Sequence, residues 1–209
     1  MSAPVPAGHI TAPDAATRNG VATVAGVRAR GWRVIAELLT EPDGNLVERL
    51  RNGDLVGELR ESVQWLGDDA GRFMDGFMVL DIFGRRAGRR TVEEELHNLH
   101  AEYVRLFPDG PPALTEQLRE MAALAEAEAE AWSRGDYETG KTMRVQQNAR
   151  LEAEMVDTVP AWCVELDDRA SLMLYKLTPR LLTSYLTVES GRDFDRVVFY
   201  RGSLLSFED

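Results

Sequence analysis

Apolar residues recur every three or four positions along most of this chain, a spacing that predicts a succession of amphipathic helices. From about Ala15 to Thr40, Val24, Val27, Trp32, Ile35, Leu38 and Leu39 share one face, and Glu41-Pro42-Asp43-Gly44 stops the pattern. A second helix is expected over NLVERLRNGDLVGELRESVQWL, with Gly53 and Gly57 weakening its continuity. A third covers Ala70 to Phe83, where Phe73, Phe77, Leu80 and Phe83 align; Gly84 to Arg90 then reads as a charged linker. Thr91 offers an N-cap, and Glu94 three residues later completes a capping box for a helix reaching Phe107. The turn PDGPP breaks that helix. An alanine- and glutamate-rich helix runs from Leu114 to Ser133 and ends near Gly135, and Asp136 starts another through Met155. Pro160 interrupts this helix or begins a new one, and VPAWCVELDDRASLMLYKLTPRLLTSYLTVE supplies the last helical material before Gly191.

No window alternates like a half-buried strand except VVFYRG near the end, which is too isolated to build a sheet. No repeat of fixed period is present. The expectation is an all-α chain, a compact bundle of roughly seven or more helices with short connections and mostly antiparallel neighbours. Residues 1–14 carry Pro4, Pro6 and Pro13 among small residues and are expected to be a flexible arm. Residues 15–190 form the helical domain in this reading, and 191–209 a tail packed on it or trailing it.

Composition narrows the function classes. The chain has 209 residues, 44% of them hydrophobic, enough for one contiguous core. A net charge of -11 argues against a nucleic-acid partner, because phosphate backbones are held mainly by clustered Lys and Arg. An acidic surface suits a basic ligand or peptide better. Cys163 is the only cysteine, which excludes an internal disulfide and any multi-cysteine metal site and fits a reducing compartment. The first residues lack a basic start followed by an apolar run, and no stretch approaches the ~20 apolar residues of a membrane span. A soluble cytoplasmic protein is expected.

Candidate chemistry is sparse. Glu94 and His97 lie one turn apart, as in metal-carboxylate helical bundles, but such a site needs carboxylates from other helices and a second Glu-x-x-His. The remaining histidines are His100 on the same helix and His9 in the arm, so the pair reads as the polar surface of a capped helix. No metal and no cofactor is expected; the alternatives are a metal-carboxylate helical-bundle enzyme centred on Glu94 and His97, and a helical scaffold whose acidic face meets a basic protein. Cys163 follows Trp162 in an apolar stretch, the setting of a small core residue and not of an activated thiol. No Gly-x-Ser-x-Gly, Walker or dinucleotide fingerprint is present, and no catalytic residue is assigned. Tyr103, Leu106 and Phe107, at i, i+3 and i+4, form one apolar patch beside PDGPP. Such a patch is core unless the adjoining loop leaves a groove, which Glu102 and Asp109 would rim.

The segment LHNLHAEYVRLF resembles a recurring pattern of the TorD/DmsD/NarJ-type chaperones that assist assembly of molybdenum-containing oxidoreductases: a helix carrying Glu-Tyr-x-x-Leu-Phe, here Glu102, Tyr103, Leu106 and Phe107. Upstream, VRARGWRVIAELLTEPDGNLVERL is similar to that family's first helix. Downstream, LREMAALAEAEAEAWSRGDYETG is similar to its Leu-rich then Glu-Ala-rich helix. Trp162 stands where the family has the tryptophan of His-Leu-x-x-Trp, with Thr158 at the histidine position. The loop after Leu-Phe is short, with Pro112 and Ala113 where Asp and His are usual. The resemblance spans about residues 28 to 188. It implies a TorD-like helical fold and a non-enzymatic, monomeric or homodimeric chaperone. Its implied partner is a molybdopterin oxidoreductase catalytic subunit, or the twin-arginine signal peptide of that subunit. Glu102, Tyr103, Leu106, Phe107, Asp109 and Trp162 would contact this client.

Overall fold

The computed structural model describes residues 15–63 and 74–191. The expected arm, the tail beyond Gly191 with its VVFYRG stretch, and Phe73 lie outside the described residues. The helices are α1 (Ala15–Leu38), α2 (Gly44–Asn52), α3 (Asp54–Val63), α4 (Met74–Ala87), α5 (Val92–Leu106), α6 (Ala113–Arg134), α7 (Tyr137–Arg150), α8 (Val159–Arg169) and α9 (Met173–Ser190). A π-helical turn, Leu151–Met155, continues α7. The described residues contain no strand, so the fold is an all-α bundle.

Local chemistry sets the helix ends. Asp43 caps α2 by accepting the Leu46 amide at 2.8 Å. The single helix expected over 45–66 is two: Gly53 takes the left-handed conformation at φ 81° and its amide closes on the carbonyls of Arg49 and Leu50. Gly57 stays inside α3. Helix α4 also runs further than expected, to Ala87, which is buried. Arg85 and Arg86 are therefore its last turn and not linker. The reason is tertiary: a Cβ at Gly84 would overlap the Leu50 carbonyl oxygen, so this glycine lets α4 lie against α2.

Cross-helix bonds fix the packing directions. Arg28 meets Glu128, Arg33 meets Glu126, and Thr115 reaches the Leu39 carbonyl, so α1 and α6 are antiparallel along most of their length. Tyr175 donates to the Leu99 carbonyl while Ser171 donates to Glu102, which sets α9 antiparallel to α5. Tyr185 donates to the Arg28 carbonyl and stacks edge-on with Trp32 at 4.7 Å, while Glu189, one turn further along α9, is bonded by Arg28, one turn back along α1, which sets α9 antiparallel to α1. A side chain at Gly31 would strike the Tyr185 ring, so glycine there permits the approach.

Helix α9 is the centre of the bundle, with twelve of its eighteen residues buried, including residues on every side of the helix. Two of its buried alcohols are satisfied within the helix: Thr178 donates to the Leu174 carbonyl and Thr183 to the Pro179 carbonyl. These bonds let polar residues share the core with Leu174, Leu182 and Leu186.

Candidate functional site

Helix α5 starts with the expected capping box. Thr91 Oγ1 accepts the Glu94 amide at 3.1 Å, and Glu94 Oε2 accepts the Thr91 amide at 2.9 Å. Glu94 is thereby committed to the helix end. His97 is exposed, and His100 Nε2 lies 3.0 Å from Glu41 Oε1. Among the described residues no three of His, Cys, Asp and Glu are grouped to hold a metal ion.

The other end of α5 is a polar clasp over an aromatic base. Glu102 is 8% exposed and accepts two bonds from Arg105, at 2.8 and 2.7 Å. Its Oε1 also accepts the backbone amides of Ser171 at 2.6 Å and Leu172 at 3.3 Å, the free donors where α9 begins. Hydrogen bonds from Arg105, and then from these two amides, hold the Glu102 carboxyl below the usual range although burial opposes them. Arg105 continues to the Arg169 carbonyl at 2.7 Å, and Arg169 returns a bond to the Leu106 carbonyl at 2.9 Å. One carboxylate thus joins the ends of α5, α8 and α9.

Beneath the clasp, Tyr103 and Leu106 are 2% and 3% exposed. The Tyr103 and Phe107 rings lie 5.1 Å apart, and Phe107 meets Tyr175 at 6.4 Å. The apolar patch is therefore packing inside the α5–α9 junction and not an open groove floor, because α9 crosses over it. Asp109 is exposed in the turn after α5. Trp162 is half-buried against the core on α8, seven residues and so about 10 Å of helix from Arg169. The structure brings Glu102, Tyr103, Leu106 and Phe107 into one unit, leaves Asp109 at its edge, and sets Trp162 apart. Arg105, Arg169 and the 171–172 amides complete the unit, and sequence reasoning did not include them.

Cys163 is fully buried between α8 and α9, and burial pushes its thiol up to about 12. It is a core residue. A second polar constellation also lay outside the sequence reading. Arg28 grips Glu189 through Nε at 2.6 Å and Nη2 at 2.5 Å, reaches Glu128 at 3.2 Å and Gln147 at 2.8 Å, and is 3% exposed. Gln147 donates to Glu128 at 2.8 Å, and Arg144 donates to Glu189 at 3.4 Å. Burial drives the Glu189 carboxyl upward while Arg28 opposes that shift. One signal was available: Arg28 stands four residues from both Val24 and Trp32, on the apolar face of α1.

In comparisons with known proteins, no family model, no curated protein and no solved structure matches this chain. No helix among the described residues is long and apolar enough to cross a membrane.

Proposed function

We propose that this chain is a cytoplasmic assembly chaperone. It binds the catalytic subunit of a molybdopterin oxidoreductase, or its twin-arginine signal peptide, and holds the client for cofactor insertion before export. It acts by binding and not by catalysis. The observation that carries this reading is the Glu102-Tyr103-x-x-Leu106-Phe107 signature, which resembles that chaperone family and folds here as the single unit joining α5, α8 and α9. The net charge of -11 supports it, because a signal bearing two guanidinium groups and an apolar stretch is attracted to a carboxylate-rich surface.

The signature residues shape the contact surface from below, since Tyr103 and Leu106 are buried and Glu102 is engaged by four hydrogen-bond donors. Direct client contact falls to exposed neighbours: Val104, Pro108 and Asp109 on the α5 side, Glu165 and Asp168 on α8. The test is co-expression with a twin-arginine-bearing molybdoenzyme subunit. The subunit is expected to co-purify with the chain and to lose cofactor loading in its absence. Asp109→Lys with Asp168→Lys is expected to weaken capture about tenfold while the fold is kept. No co-purification together with full loading in the absence of the chain would overturn the proposal.

A further inference from the structure

Helix α7 is attached to the bundle differently from α6. Of its fourteen residues only Gly140 and Gln147 are buried, one without a side chain and one polar, whereas α6 buries Leu114, Leu118 and Met121 among others. Its outer face is solvated, and Val145 is 65% exposed. Burial of apolar area therefore contributes little to holding α7 in place. Polar bonds replace it: Gln147 to Glu128 and Arg28, Arg144 to Glu189, and Arg150 to Glu120. Near its start the indole of Trp132 lies against Gly140, where a Cβ would meet Nε1 at 2.7 Å.

Both ends of α7 are built for a change of direction. Gly135 before it is left-handed at φ 78°, which only glycine adopts without strain. The π turn Leu151–Met155 after it departs from regular α-helical bonding, a feature frequent at functional sites. Alongside α7 runs an open cleft of about 410 Å³, whose apolar wall is Val21, Val24 and Ala25 of α1 and whose polar lining is Arg28, Glu128 and Arg144.

We propose that α7 is a strap that opens over this cleft, turning at Gly135 and at the π turn, whose Leu151 and Met155 stay anchored in the core, while α1, α6 and α9 stay packed. Opening exchanges polar bonds for water and exposes little apolar surface, so it occurs far below the free energy of global unfolding. It also exposes further the half-buried Val21 and Val24 of α1. The inference is independent of the chaperone reading.

Spin labels on the full chain test it, because the native Cys163 is buried and its thiol does not label. Glu116→Cys on α6 is the reference site, paired with Val145→Cys on α7 for the strap and with Thr23→Cys on α1 as control; all three positions are exposed. Gln147→Ala is expected to raise the population at a second Val145 distance roughly tenfold, with the control distance unchanged. Gly140→Ala, which presses on Trp132, is expected to do the same and decides the matter if Gln147→Ala disturbs the whole bundle. A single narrow Val145 distance, identical in the parent and both variants, would overturn the proposal. So would broadening of the control distance in step with the Val145 distance in both variants.

Discussion

Replacing Glu102 by alanine removes the one acceptor shared by Arg105 and the two amides that immediately precede α9. The ion pair with Arg105 is half solvated, so its loss costs about 0 to 1 kcal/mol. The Ser171 and Leu172 amides lose a charged acceptor at 2.6 and 3.3 Å, for about 1 to 2 kcal/mol. The expected loss is about 2 to 3 kcal/mol, read as a lower urea midpoint at pH 7. Glu102→Gln keeps a neutral acceptor and is expected to cost about 1 kcal/mol. The sign of the pH dependence follows from the carboxyl being held below its usual value in the folded state. Its contribution is fully present above the unfolded value of about 4.3 and is lost as pH falls through the lower folded value. The stability gap between the parent and Glu102→Gln should therefore be constant above about pH 5 and shrink below it. An alanine variant within about 0.5 kcal/mol of the parent, or a gap that stays constant into acid, would refute the clasp.

Two glycine substitutions should have opposite signs. Gly84→Ala forces α4 away from the Leu50 carbonyl and should lower stability by about 1 to 3 kcal/mol, whereas Gly57→Ala meets nothing within 4 Å inside α3 and should raise it by about 0.5 to 1 kcal/mol in the same urea titration. Arg28→Ala strands Glu128 and Glu189 in the interior and should cost about 3 to 5 kcal/mol by thermal or chemical unfolding; a cost below about 1 kcal/mol would show that the network is dispensable. Cys163 should resist a thiol reagent in the native protein and react only when unfolding exposes it, so rapid native labelling at pH 8 would contradict its burial.

The all-helical class, the Thr91 capping box, the stop at PDGPP and the helix start at Asp136 were legible in the chain, because each depends on contacts a few residues apart. Gly53 was legible only as a weakness; the left-handed turn there, and the continuation of α4 through Gly84, depend on how α2 and α4 meet. The same holds for the candidate site. Periodicity put Tyr103, Leu106 and Phe107 on one face, but a face does not say what covers it, and it is the crossing of α9 that turned the patch into core. Glu102 was legible as a carboxylate beside that patch, while its bonds to Ser171 and Leu172 span about seventy residues of sequence and so had no local signal. Arg28 was the converse, a charge on an apolar face whose partners on α6, α7 and α9 lie 100 or more residues away. Short-range hydrogen bonding and hydrophobic periodicity determined the helices and most of their ends; which charges are buried, and beside which partners, was decided only when distant helices packed.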